Sequence, residues 1–355
     1  MNIQPKCRAT AIGSLPHPSA EAALNVLFDA LDAPIWPQLP KLGLHEQMEI
    51  QYSQGMPRVK IDEEKRRMFI DTSGDYSDDL AAFYEGYMKA EETGDCSAGA
   101  ITPEFSAGIP ALEARLKKLG KKLPLLKVQT TGPISFALTI TDENKRAIYY
   151  NEEFADTVVK GLALKCRWQI QKFRPYAENI ICFVDEPILS AFGSSTYVSV
   201  QREDVVAKLN EVIEAVHTEG ALAGIHCCGN TDWSILVDAG VDIVNFDAYE
   251  FGKTVALYPE HMKKQIVEHG NALAWGIVPT NTNVRKETVE SLVARFDEVT
   301  GHLAKQAGIP LPKIVEQAFL VPSCGTGSME VADAERVFAL LRDVSRALRK
   351  RHGFA

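Results

Sequence analysis

The chain has 355 residues, 46% of them hydrophobic, and a formal net charge of −9. That length supports a sizeable buried core, and the acidic balance argues against nucleic acid or an anionic membrane surface as the main partner. No apolar stretch approaches the ~20 residues of a spanning helix and none near the start resembles a signal-peptide core, so a cytoplasmic protein is expected.

Taken in chain order, the first extended candidates are "RATAIGSLP" (8–16) and, more weakly, "IWPQLP" (35–40). The stretch from about 41 to 115 is less regular and is expected to carry insertions over the mouth of the fold, with "SAGAITPEF" (97–105) a weak strand. "PLLKVQTTGPISFA" (124–137) and "ENIICFVDEPIL" (178–189) read as buried strands. "REDVVAKLNEVIEAVHTEG" (202–220) reads as a helix: Val205, Leu209, Val212 and Val216 share a face, Asp204 could cap the start and Gly220 the end. Strand "ALAGIHCCGN", helix "TDWSILVDAG" and strand "VDIVNFDAYE" follow over 221–250. Strand "ALAWGIVPT", the helix over 286–306, strand "AFLVPSCGTG" and the helix over 331–350 complete the chain.

Strands that alternate with helices pair in parallel through crossovers, and near-continuous apolar strands fit a sheet covered on both faces. A count near eight predicts an α/β fold of the (β/α)₈ TIM-barrel type, as one domain over 1–355. No GxGxxG follows the first strand, which counts against a doubly wound sheet.

In such a barrel, chemistry sits where the strands end. Ser14, Asp185, Glu186, His226, Cys228, Glu250 and Cys324 all fall at strand ends. Alternate residues of a strand share a face, so His226 and Cys228 point together and Cys227 points away. Seven scattered cysteines argue for reduced thiols rather than a disulfide framework. One nitrogen, two sulfurs and one oxygen from His226, Cys228, Cys324 and Glu250 suit Zn²⁺ in tetrahedral geometry. Asp247 lies close enough in sequence to compete with Glu250 for the oxygen position. The plain alternative is that these cysteines are small buried hydrophobes, as expected for Cys7, Cys96, Cys166 and Cys182.

At these residues the sequence resembles the catalytic half of the cobalamin-independent methionine synthase family, within the uroporphyrinogen decarboxylase-like superfamily. "AIGSLP" is similar to that family's "IGSFP", "TTGPISF" to its "TGP", "VDEP" to its "DEP" and "PSCG" to its "PDCG"; His226 and Cys228 match its "HxC". The matches run in order along almost the whole chain. The resemblance implies substrate contacts at Ile12 and Ser14, an amine contact at Asp185, and zinc ligands at His226, Cys228, Cys324 and, 24 residues after His226, Glu250. It implies methyl transfer to a zinc-activated small thiol, homocysteine first, from methylfolate, methylcobalamin or a corrinoid protein. The chain has no room for the family's second barrel and so is similar to its short "core" members. The family's second amine-binding glutamate has no match; Gln38 stands near the expected place.

"HCCGNTDWSILVDAGVDIVNFD" is also similar to "HxCGN" segments of corrinoid:coenzyme M methyltransferases, which makes transfer to another thiol the alternative. Binding of zinc or a corrinoid without turnover, and a metal-free hydrolase using Asp185 and Glu186, are the readings from other classes. The sequence leaves a homo-oligomer open.

Overall fold

The computed structural model describes residues 4–354. Its centre is a six-stranded, all-parallel sheet in sequential order: β3 (Leu123–Thr131), β4 (Ala177–Asp185), β5 (Leu222–Cys227), β6 (Ile243–Phe246), β7 (Ala272–Val278) and β8 (Ala318–Pro322). The crossovers run through helices, among them Glu152–Phe173, Arg202–Thr218 and Val289–Ala307. A two-stranded antiparallel hairpin, β1 (Val59–Asp62) and β2 (Arg67–Ile70), lies apart from this sheet.

Six parallel strands form, where the sequence suggested about eight. Two extended segments adjoin the sheet through single bridges, Ala9 to Leu320 of β8 and Ile35 to Lys127 of β3, with Ser14 and Gln38 bridged to each other. Prolines at 16, 34, 37 and 40 explain why these segments do not lengthen into strands, since proline brings no N–H to a ladder. Their carbonyls and remaining amides still pair: Lys127 donates to the Pro34 carbonyl at 2.9 Å and Thr10 to the Leu320 carbonyl at 3.0 Å. Ile12 and Ala33 from these segments join Leu125, Phe183, Ile243 and Phe319 in an inner apolar cluster, so the sheet curls round its own core. The larger cluster packs the outer sheet face against the helices.

The weak strand expected over 97–105 is absent; Ser97–Gly99 is a 3₁₀ turn. A Cβ on Gly99 would lie 2.4 Å from the Leu164 carbonyl oxygen, so this stretch is moulded to a helix and not to a sheet. Asp204 is not the cap of its helix. The chain enters at Gln201, and Asp204 sits in the first turn, where it accepts from the Tyr149 hydroxyl and pairs with Lys208. Gly220 does end that segment, at a φ of +63°. Of the irregular stretch, only residues between 41 and 48 reach the central cavity. Among the described residues no helix is long and apolar enough to cross a membrane.

Candidate metal and substrate site

Parallel pairing puts Thr131, Asp185, His226, Asn245 and Ala274 at one height on five adjacent strands. Residues in register share a face, so a polar row of Thr131, Asp185, His226 and Asn245 crosses β3 to β6 near their C-terminal ends. Cys227, the out-of-phase neighbour, is fully buried in the outer core. Cys228 follows at the end of β5, and Cys324 follows β8.

His226, Cys228 and Cys324 each offer one donor atom within 4.8 Å of the others. Both ring nitrogens of His226 are buried without a hydrogen-bond partner, a costly arrangement for a side chain that only packs. The two thiols act as a pair. Cys324 first, and His226 second, pull the Cys228 thiol down to about 4, while Cys228 and burial push Cys324 well up. A buried, unpartnered nitrogen and two half-buried sulfurs fit Zn²⁺ better than a hard cation.

The loop carrying Cys324 is set by close packing on the first extended segment. A Cβ on Gly325 would stand 2.0 Å from Ser14 Oγ, and one on Gly327 3.0 Å from Ser14 Cβ. Thr326 donates its amide (2.8 Å) and hydroxyl (3.1 Å) to the Ser14 carbonyl. The substrate residue and the last metal ligand expected from the sequence, Ser14 and Cys324, are thereby held close together.

Ile12, Ser14, Asp185 and the three donor residues line one cavity of about 540 Å³. Asp185 is 4% exposed and its Oδ1 has no partner. Burial raises its pKa, and Lys127, followed by His226, holds it down. Neither Glu250 nor Asp247 joins the three donors within 4.8 Å. Glu250 is exposed in the short Ala248–Phe251 helix, and its amide donates to Asp247 Oδ1 at 2.9 Å. Asp247 is the residue at the strand end: 9% exposed, pushed up to about 6 by burial, and close enough for His226 to act against that rise.

Glu186 does not face the cavity with Asp185. Its carboxylate accepts from the amides of Ile134 (2.9 Å) and Ser135 (2.7 Å) and from the Ser135 hydroxyl (2.6 Å), at the start of the Pro133–Thr139 helix. Gly132 is required there, because a Cβ would lie 2.1 Å from Glu186 Cδ. The acid–base pair of a metal-free hydrolase is therefore not assembled. Glu186→Gln turns an acceptor into a donor facing N–H groups; we expect a loss of about 2–4 kcal/mol in a urea unfolding titration.

Sequence reading missed two charged residues. Glu46 lines the cavity but is held by Ala107 N (2.6 Å), Leu39 N (3.3 Å) and Gln51 Nε2 (3.0 Å). Lys127 is fully buried inside the curled sheet, 4.4 Å from the Phe183 ring centre and 3.4 Å from Gln129 Oε1; burial lowers it to about 8. Gln38 also lines the cavity, but its amide hydrogens go to Gln51 (3.0 Å) and Tyr52 (3.3 Å), which leaves only its oxygen for a ligand.

No family model and no curated protein matches this sequence. Among solved structures, a methyltransferase from Methanosarcina mazei is similar over 95% of this chain and 84% of that one, at 14% identity and a TM-score of 0.53. That likeness is one of fold. GH5_18 from Streptomyces cattleya in complex with GlcNAc matches over 77% of this chain and 74% of its own, at 13% identity and a TM-score of 0.41. Dihydropteroate synthase from Thermus thermophilus in complex with 4-aminobenzoate matches over 94% and 95%, at 14% identity and a TM-score of 0.29.

Proposed function

We propose that this chain is a zinc-dependent methyltransferase whose acceptor is a small thiol, homocysteine first, with methylfolate, methylcobalamin or a corrinoid protein as donor. The observation that carries the reading is the convergence of one imidazole and two thiols within 4.8 Å, beside a buried carboxylate in the same cavity. The name of the Methanosarcina protein and the ordered motif resemblance lend support.

His226, Cys228 and Cys324 would hold the ion, and the carboxylate of Asp247, rather than that of Glu250, would take the fourth position until substrate arrives. Zn²⁺ bound there supplies the Lewis acidity that removes a thiol proton at neutral pH; a free thiol, with a pKa of about 8.5, is only a few per cent ionised. The other roles belong to the chain. Asp185 receives the ammonium of an amino-acid thiol in a site too dry for water to compete. Ser14 hydrogen-bonds the substrate's carboxylate end, and Ile12 packs on its methylenes. The Gly325–Gly327 loop keeps Ser14 and Cys324 at a fixed separation, so binding and activation act on one molecule.

Purified protein should carry one zinc per chain and transfer methyl from methylcobalamin to homocysteine, with chelation abolishing transfer. Zinc-free protein that cannot be loaded would overturn the metal reading. Full zinc with no methyl product from any of the three donors would favour a binding protein without turnover. Product formed with coenzyme M but not homocysteine would move the acceptor to a thiol without an amine.

A further inference from the structure

Three buried polar atoms in two adjacent residues lack partners: Nδ1 and Nε2 of His226 and Oδ1 of Asn245. The residues are neighbours in register on β5 and β6. Asn245 is 0% exposed and does not line the cavity. Its Nδ2 donates at 2.8 Å to the carbonyl of Ala274, on β7. β7 flanks β6 on the side opposite β5. Since that carbonyl needs a donor, the amide cannot be flipped. With its nitrogen committed towards β7, the amide leaves its oxygen free beside the neighbouring strand, and in this structure that oxygen makes no hydrogen bond to either nitrogen of His226.

We propose that Asn245 is the positioning residue for His226: its Oδ1 accepts the N–H of the ring nitrogen that does not meet the metal. The proposal rests on the metal site described above and adds what orients its only nitrogen donor. A ligating imidazole needs such an acceptor, because the bond on one nitrogen decides which tautomer offers a lone pair at the other. Asp185, on the other side of His226 in the same row, also has an unpartnered oxygen. Asp185 lines the cavity, where a substrate cation can claim it, whereas Asn245 is sealed from the cavity and would be available to His226 with or without substrate. Asn245 would then explain an otherwise unfavourable amide in the middle of a buried strand.

The test measures zinc affinity by chelator competition in the full chain, comparing wild type with Asn245→Leu and Asn245→Asp. Leucine fills the same space with no acceptor. Aspartate gives up the bond to Ala274 but keeps an oxygen towards His226. We expect affinity to fall about 10–100-fold in Asn245→Leu and to stay within about threefold of wild type, or tighten, in Asn245→Asp. In ¹⁵N-histidine-labelled, zinc-loaded protein, with His226 assigned by its loss in His226→Gln, wild type should show one tautomer and Asn245→Leu a shifted or mixed signal. A merely structural role would weaken both variants alike and leave the tautomer unchanged. Either that result or an Asn245→Leu affinity within twofold of wild type overturns the proposal while zinc binding stands. A wild-type chain that binds no zinc overturns the site and the proposal together. Should Asn245→Leu not fold, Asn245→Ala replaces it with the same expectations.

Discussion

Cys324→Ser should strip the metal from this protein and leave its fold in place. Cys324 comes from the loop after β8, far in sequence from His226 and Cys228, and its sulfur is one of the three donors within 4.8 Å of one another. A serine hydroxyl at that place is a poor zinc ligand, because it does not ionise near neutral pH as a thiol paired with a second thiol does. The loop itself is held by Thr326 on Ser14 and by the two close glycine approaches, none of which involves the Cys324 sulfur. Zinc affinity should drop by more than the ~100-fold that loss of a supporting residue costs, and methyl transfer should fall to background. Thermal unfolding of the metal-free wild type and variant should coincide. A serine variant that keeps full zinc would show that the ligand set is wrong. Two further substitutions divide the carboxylates at the end of β6. Asp247→Asn should weaken zinc retention, whereas Glu250→Gln, altering a side chain exposed to solvent, should leave it unchanged.

The alternation rule separated His226 from Cys227 correctly, because β5 is regular up to that point and one residue of offset decides which side chain enters the inner face. It did not place the carboxylate. Spacing counted 24 residues from His226 to Glu250, but β6 stops at Phe246 and Asp247 turns the chain into a short helix. Where a strand stops depends on what caps the next element, and Asp247 does that by accepting from the Glu250 amide. Residues 8–16 and 35–40 were legible as extended but not as bridged segments, since proline spacing sets how long a ladder can run. Lys127 had a signal that could have been used: Lys127, Gln129 and Thr131 alternate as a polar row within an apolar strand, the mark of an inner face that carries charge. Glu46 had none. It sits in the irregular stretch, and its three donors come from Leu39, Gln51 and Ala107, residues that only tertiary packing brings together.

Asp185→Asn should raise KM for an amino-acid thiol about 100-fold and barely change transfer to a thiol that has no amine. The carboxylate is buried with one oxygen unpartnered, so it offers an incoming ammonium a charge-assisted bond away from water. Removing that charge leaves the ammonium desolvated without its counter-ion, a loss of about 3 kcal/mol, which converts to roughly two orders of magnitude in affinity. Lys127 and Asp185 support each other's charge. In the wild type the buried lysine is the strongest influence holding Asp185 ionised, against the pull of burial. In the variant Lys127 loses the carboxylate that holds its own pKa up, and so gives up its proton more readily. An interaction made equally in the bound and reacting states acts through KM and spares kcat. A rise in KM shared equally by homocysteine and coenzyme M would mean that Asp185 shapes the cavity without reading the amine. A collapse of kcat with KM unchanged would place Asp185 at the reacting atoms instead of at the far end of the substrate.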